Sequence, residues 1–339
     1  MTRREFFAFG GALAFSSARA DDKGKMDVAP RDCVEFDAAV KTIEDTTVLD
    51  EEARKGALEV IQREIYAMGK KEPYNEFLRG GLRLSEAQVA SFHSAYPPLK
   101  WYDRAFDKVL REFKETKADP DRPAIWYVYN MGIVVKTAEC AFSIDLCHRK
   151  APLLAPLLDF ALITHNHGDH YTREFASAMT RAKKPVMSNF LLVWDCYSRL
   201  EREEKIFKNV RVTSIAADHN AHLPKAVSCF ECRIPKASGG YFTIFHSGDC
   251  CRVDHLAPSS KEVDVFFGHC AIGLDFKTAW QTTMPAKLMV PVHHQELGHL
   301  GGPWRCVGFH EEPRSIIKKL RSLGARVAMP VWGDRIAIA

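Results

Sequence analysis

The chain has 339 residues, of which 46% are hydrophobic and 27% are charged, and its formal net charge is +4 at pH 7. A chain of this length can bury a sizeable core, and its composition is that of an ordinary globular protein. The small positive charge, without a basic run interleaved with aromatic residues, argues against a nucleic-acid-binding protein. Nucleic acid is therefore not an expected partner.

The first twenty residues read MTRREFFAFGGALAFSSARA and have the three parts of an export signal. A basic start is followed by an apolar stretch and by the small-residue cleavage pattern Ala18-Arg19-Ala20. The segment Thr2-Arg3-Arg4-Glu5-Phe6-Phe7 resembles the twin-arginine motif. The apolar stretch is too short to remain as a membrane span. We therefore expect residues 1–20 to be removed and the mature protein, without a stable membrane span, to be periplasmic or secreted.

Residues 21 to about 120 are predicted to be mainly helical. Asp50 is a candidate N-cap for a helix whose apolar residues recur every three or four positions. A second helix is predicted to begin at Ser85 and to end before Pro97, because proline breaks a helix interior. A third is predicted over about 102–114, where apolar residues share one face.

The pattern changes after DPDRP at 119–123, a proline-rich linker signal. Short apolar runs typical of strands then alternate with helical ones, and a hairpin is predicted to turn at 238–240. A last helix over 314–323 and a last strand over 326–333 complete the pattern. Strands mixed with helices imply a layered α/β or α+β fold. We assign this fold to residues 124–339, preceded by the helical segment.

Three histidines and an aspartate lie within six positions of the segment THNHGDHYT. His165 and His167 are two residues apart, so both rings can face one ion in an extended segment. Asp169 and His170 follow a glycine and project differently, which suits a second ion. Imidazoles with a few carboxylates favour zinc, with iron or manganese as alternatives. A solvated turn or a chance cluster is the competing interpretation.

Metal-binding residues also follow several predicted strands. These residues are His165, His219, Asp249 and His293. Strand ends on one rim of a sheet lie close together, so such side chains can converge on a site. Two positions stay open, because His222 could replace His219 and His294 could replace His293.

The pattern H-x-H-x-D-H after a strand, then a lone His, a Gly-Asp after a strand and a final His, resembles the metallo-β-lactamase superfamily of hydrolases. The resemblance covers about residues 124–339 and implies an αββα sandwich with the site at one edge of its two sheets. The segments around Gly132 and Asp145 are also similar to early strands of that family. The chain looks more like the lactonase and phosphodiesterase branches than like zinc β-lactamases, which commonly lack a bridging carboxylate such as Asp249.

The resemblance implies seven ligands for two metal ions, expected to be zinc. Three histidines would bind the first ion, an aspartate and two histidines the second, and another aspartate would bridge the two. In that order they are His165, His167 and His219, then Asp169, His170 and His293, then Asp249. Asp169 would also act as a catalytic residue by orienting the nucleophile. His246 and His269 are candidate substrate-binding residues, with a surface or supporting role as the alternative for each.

We expect a metal-dependent hydrolase in which a metal-bound hydroxide attacks a small-molecule ester, lactone, amide or phosphodiester. One alternative is an iron-dependent oxidoreductase of the same fold, although iron-binding relatives usually carry a glutamate where His167 stands. The other alternative is a non-catalytic metal-binding protein. The helical segment would either narrow substrate access or cover a sheet or a dimer interface. The sequence leaves the oligomeric state open.

Cleavage of the export signal predicts a mature protein that begins near Asp21 in the exported fraction. The removed segment carries three arginines and one glutamate, so the net charge should fall from +4 to +2. Intact-mass measurement and N-terminal sequencing of the exported protein check both values. An exported chain that retains its first twenty residues would contradict the assignment.

Overall fold

The part of the chain described by the computed structural model comprises 33–68, 72–192, 196–198, 200–270, 272–297 and 312–338. The predicted export signal at 1–20 lies outside these residues. The described residues all belong to one compact unit. Within the described residues, no helix combines the length and the apolar character needed to cross a bilayer.

Five helices precede the first strand of the described residues. They are α1 Val34–Asp45, α2 Glu51–Met68, α3 Glu72–Gly80, α4 Glu86–Ala95 and α5 Pro97–Glu115. Ser85 caps α4 as the sequence predicts, since its Oγ accepts from the backbone N–H of Gln88 while its own N–H donates to the Gln88 side chain. The third predicted helix begins earlier than expected, at Pro97, because proline is tolerated in the first turn. The predicted helical segment is confirmed.

The first sheet has five strands in the order β1-β2-β3-β4-β5. They are β1 Ala124–Tyr129, β2 Gly132–Lys136, β3 Ala141–Ile144, β4 Phe160–Ile163 and β5 Val186–Ser188. The first three pair antiparallel and the last three parallel. Helix α6, Arg173–Arg181, joins β4 to β5, and the Thr172 side chain caps it by accepting from the N–H of Phe175.

The second sheet has six strands in the order β11-β10-β9-β8-β7-β6. They are β6 Arg202–Phe207, β7 Val210–Ala217, β8 Val227–Pro235, β9 Tyr241–His246, β10 Val265–His269 and β11 Leu288–Val292. Strands β9, β10 and β11 are parallel, whereas β6 to β9 pair antiparallel. The predicted hairpin joins β8 to β9 and turns at Gly239 and Gly240, both of which have positive φ. Helices α7, Phe276–Thr282, and α8, Glu312–Ser322, follow β10 and β11 respectively.

The two sheets share one apolar core, and helices cover them. Phe160 of β4 stacks on Phe207 of β6 with ring centroids 4.7 Å apart. On the first sheet, Phe113 of α5 meets Trp126 of β1 at 5.6 Å. On the second, Phe276 of α7 lies 6.0 Å from a β10 phenylalanine ring. The predicted α/β fold with two sheets and an N-terminal helical segment is confirmed.

The predicted last strand over 326–333 is wrong in extent. Only Val327 forms a bridge, to Met289 of β11, and the following residues form a turn that includes Gly333 with positive φ. Pro330 within this stretch has no N–H to donate to a ladder. The apolar character of this run therefore reflects the burial of the segment and not a continuous strand.

Two buried ion pairs bind the helical segment to the rest of the unit. The Arg54 guanidinium donates to both carboxylate oxygens of Asp334, at 2.9 and 2.7 Å. Asp334 also accepts from the N–H of Val331 at 2.8 Å. The second pair joins Arg149 to Asp103 of α5 through two hydrogen bonds. The first pair fixes the helical segment to the C-terminal segment, and the second fixes it to the loop that follows β3 of the first sheet.

The Arg54–Asp334 pair generates a stability prediction. Arg54→Ala leaves the Asp334 carboxylate buried without its partner, so the free energy of unfolding should fall by about 3–5 kcal/mol. Lys41→Ala is the control, because Lys41 pairs with Asp45 while both side chains are more than half exposed; it should leave the free energy of unfolding nearly unchanged. Urea unfolding curves measure both changes. Equal small losses in the two variants would contradict a structural role for the buried pair.

Candidate metal centre

Strand ends from both sheets meet at one edge and carry the candidate site. In the second sheet, β9, β10 and β11 are parallel and β7 runs the same way as β9, so their carboxyl ends lie at one edge. The residues that follow β4, β7, β9 and β11, together with the last residue of β10, point metal-binding atoms into this region. They are His165, His167, Asp169, His170, His219, Asp249, His269 and His293.

The first group comprises His165, His167, His219 and Asp249, whose donor atoms all lie within 4.8 Å of one another. The Nε2 atoms of His165 and His219 lie 3.5 and 3.2 Å from Oδ2 of Asp249. The ring of His167 lies 4.4 Å from that of His165 and 4.8 Å from that of His219. Three imidazoles and one carboxylate form a four-ligand set of the kind that binds zinc.

The second group comprises Asp169, His170 and His293, again within 4.8 Å. Oδ2 of Asp169 lies 3.3 Å from Nε2 of His293 and 3.6 Å from Nε2 of His170. His293 has a φ of 67°, an uncommon left-handed conformation that turns the chain immediately after β11. Its N–H donates to the carbonyl of Asn130, which fixes this turn against the first sheet.

Asp249 contacts both groups through different oxygens. Oδ2 faces His165 and His219, whereas Oδ1 lies 3.1 Å from Nε2 of His170. A carboxylate divided in this way can bridge two cations. His167 and Asp169 are the members with partial exposure, so the centre opens to solvent on their side.

Several buried donor atoms in the centre make no hydrogen bond to any residue in the described part of the chain. They are Nε2 of His165, His170 and His219, and Oδ1 of Asp249. Buried polar atoms are normally satisfied, and a group of them facing one point needs an explanation. Cations at the centre would provide it, since imidazole and carboxylate lone pairs are the donors that zinc and iron accept. The residues therefore fit a pair of metal ions.

Asp145 holds the second group from behind. Its Oδ2 lies 2.8 Å from Nδ1 of His170 and accepts a hydrogen bond from the Thr164 hydroxyl, while its Oδ1 accepts from the Thr164 N–H. A carboxylate that accepts the Nδ1 proton leaves the Nε2 lone pair of His170 directed at the centre. Asp145 itself has a φ of 48°, a conformation in which aspartate is enriched.

The sequence did not identify Asn130 as a site residue. Its side-chain amide lies 2.9 Å from Oδ2 of Asp169 and 3.0 Å from Nε2 of His293, so it links the two. Asn130 has a φ of 57° in the turn between β1 and β2. An asparagine before a glycine-containing turn was the available signal, but turn asparagines usually have no further role.

The buried charges of the centre shift pKa values in opposite directions. Burial lowers the pKa of His165 well below its usual value, and nearby His170 lowers it further. For His170 itself, burial is outweighed by three carboxylates, foremost Asp249, and its pKa is raised well above the usual value. Burial would raise the pKa of Asp249, yet the surrounding histidines, His170 first, hold it well below normal. One protonated imidazole thus opposes protonation of the next, and cations can replace those protons.

The remaining histidine candidates lie in different environments. His246 is buried, with Nε2 at 2.8 Å from the Met131 carbonyl and Nδ1 accepting from the Gly248 N–H, so both nitrogens bind backbone groups. His222 is exposed and outside the ligand groups, whereas His219 lies inside one. His294 is buried against the ring of Tyr127, and His293 is the member of the ligand group.

His269 lies within the metal-binding atoms themselves. Its donor atom belongs to a group with Asp249 and His293. The sequence predicts a substrate contact for it, because the seven ligand positions that the resemblance implies do not include it. Whether these residues bind metal or substrate stays a prediction.

No family model and no curated protein matches the chain. Similar solved structures include a metallo hydrolase from the archaeon Ignicoccus hospitalis, with a TM-score of 0.47, 15% identity, and coverage of 63% of this chain and 97% of that one. A possible metal-dependent hydrolase from Veillonella parvula has a TM-score of 0.46 and 14% identity over 63% of this chain and 97% of that one. CmlA, a diiron β-hydroxylase from Streptomyces venezuelae, has a TM-score of 0.46 and 12% identity over 79% of this chain and 62% of that one. Metallo-β-lactamase superfamily proteins occur among structures with lower scores. Similarities this weak carry no argument about the chemistry of this chain, which rests on its own residues.

The position of His219 generates a metal-binding prediction. His219→Ala removes one imidazole from the first group, so zinc retained after dialysis should fall from about two to about one per chain. His222→Ala is the matched control and should retain both ions, because His222 is exposed and outside the group. Plasma mass spectrometry measures the metal content. Loss of zinc in the His222 variant with retention in the His219 variant would reverse the assignment.

Proposed function

We propose that the protein is a metal-dependent hydrolase that binds two divalent cations, zinc in the first instance, and cleaves a small-molecule ester, lactone, amide or phosphodiester. The ligands would be the seven residues expected from the sequence, with Asp249 shared. The observation that carries this proposal is the Asp249 carboxylate, whose two oxygens face two separate histidine groups. A single structural zinc would need only one closed set of four ligands.

The seven ligands would hold a pair of divalent cations, which would lower the pKa of water and polarise the oxygen of an electrophile. The protein's own residues would orient the reaction. The partly exposed Asp169 can accept a hydrogen bond from the attacking water, and the Asn130 amide holds that carboxylate in place. Asp145 keeps the His170 proton on Nδ1, away from the reacting groups.

A hydrolase is favoured over the two alternatives by the residues at the centre. His167 supplies an imidazole at the position where iron-binding oxidoreductases resembling this chain usually carry a glutamate. A purely structural site would not need a centre that opens to solvent at His167 and Asp169. Zinc and hydrolysis are therefore the first candidates for metal and activity, and iron and oxygen reduction are the second.

Export through a twin-arginine route is part of the same proposal. The support is Arg3-Arg4 in the N-terminal segment and the Ala18-Arg19-Ala20 cleavage pattern. A protein exported after folding can take up its metal in the cytoplasm, since ligand binding and folding are coupled at such centres.

Metal removal and an Asp169 substitution test the proposed activity. Chelation should abolish hydrolysis across a panel of lactones, phosphodiesters and thioesters, and added zinc should restore it. Asp169→Asn should lower kcat by about 10²–10⁴, the usual contribution of a group that handles the proton of the nucleophile. Steady-state kinetics on the zinc-loaded protein measure this loss.

Asp254→Asn is the matched control for that substitution. Asp254 is an exposed aspartate that pairs with Arg252 at 2.6 Å, so its replacement should leave kcat unchanged. Full activity in the metal-free protein would contradict the proposal. Absence of turnover on the whole panel with metal bound would favour a binding protein, and oxygen consumption by a two-iron form would favour the oxidoreductase.

A further inference from the structure

Backbone hydrogen bonds to residues at the ends of both neighbouring strands hold His269 at the centre. It is the last residue of β10, which lies between β9 and β11, and it pairs with Val292 in the parallel register. Its N–H donates to the Ser247 hydroxyl at 3.2 Å, and the N–H of Cys270 donates to the Val292 carbonyl at 3.0 Å. A side chain on a strand that has a neighbouring strand on each side is positioned more accurately than a side chain on a loop.

The imidazole of His269 lies beside the donor atoms of the proposed second group. Its ring stacks on that of His293, with centroids 3.8 Å apart and planes 17° from parallel, so one ring must turn for the nitrogen lone pairs of both to meet at one ion. Its Nε2 lies 3.7 Å from Oδ1 of Asp249, the oxygen that also faces His170. The donor atoms of Asp249, His269 and His293 lie within 4.8 Å of one another.

Two groups of donors therefore overlap at His293. One comprises Asp169, His170 and His293, and the other comprises Asp249, His269 and His293. His170, which follows β4 of the first sheet, also lies 3.1 Å from Asp249, which follows β9 of the second sheet. The two groups of donors therefore face one common region.

We infer that His269 is an additional ligand of the second cation, beyond the seven of the proposed function on which this inference rests. The second position then has three imidazoles, the same number as the first. Nitrogen donors favour zinc, iron and other transition metals over magnesium and calcium. Both positions should accordingly select the same class of metal.

The competing role for His269 is to pack against His293 and keep that ring in place. A packing role needs only an aromatic or apolar group of similar size, whereas a ligand needs a donor atom. Replacement by cysteine separates the two roles, because a thiolate binds transition metals and packs poorly as a ring substitute.

The test uses the full chain loaded with cobalt(II). The wild type should bind two equivalents. In His269→Ala the first equivalent should bind as before, and the dissociation constant of the second should rise by at least about tenfold, the smaller end of the loss seen when support of a metal ligand is removed. In His269→Cys the second equivalent should bind again and should add a sulfur-to-cobalt charge-transfer band that the wild type lacks.

His222→Ala is the matched control and should bind both equivalents with wild-type affinity, because His222 is an exposed histidine away from the centre. Circular dichroism establishes that each variant is folded; if His269→Ala is not, His269→Cys decides. An unchanged second dissociation constant in His269→Ala overturns the inference, as does a folded His269→Cys variant that binds two cobalt ions without the new band. A wild type that binds one ion overturns it while leaving a mononuclear hydrolase, and a wild type that binds none overturns the proposed function as well.

Discussion

The buried carboxylate of Asp249 is the contact on which the centre depends. Imidazole nitrogens approach it at 3.1 to 3.7 Å from four histidines. A buried charge is costly unless opposite charge lies beside it, and crowded histidines cannot all be protonated because each disfavours the next. The opposing pKa shifts of His165 and His170 express this conflict. Divalent cations would resolve it, since they would supply positive charge while the imidazoles stay neutral and donate their lone pairs.

The fold supplies the rigidity that such a centre requires. Parallel strands deliver Asp249, His269 and His293 to one edge, and the first sheet contributes the histidine-rich loop opposite them. Behind that loop, Asp145 ties His170 to Thr164 through charge-assisted hydrogen bonds. Buried ion pairs fix the helical layer to this framework. Ligand positions set by strands, and anchored from behind, vary little when a metal binds.

Much of the fold and of the centre could be predicted from local pattern. The Ser85 cap, the glycine hairpin and the strand-end histidines are short-range signals, and each has a counterpart in the structure. The ion pair between Arg54 and Asp334 could not be predicted, because 280 residues separate its partners and neither has a distinctive neighbourhood. The contacts of Asn130 with Asp169 and His293 arise where the two sheets meet, and those of His269 arise from the register of β10 beside β9 and β11. No spacing along the chain encodes either set of contacts.

Anomalous diffraction from crystals grown with zinc is the most direct measurement of the central claim. The account predicts two zinc peaks about 3.5–4 Å apart on either side of the Asp249 carboxylate. One peak should be bound by His165, His167 and His219, and the other by the residues around His293. A single peak, or peaks away from Asp249, would contradict the shared carboxylate and the two-cation centre built on it.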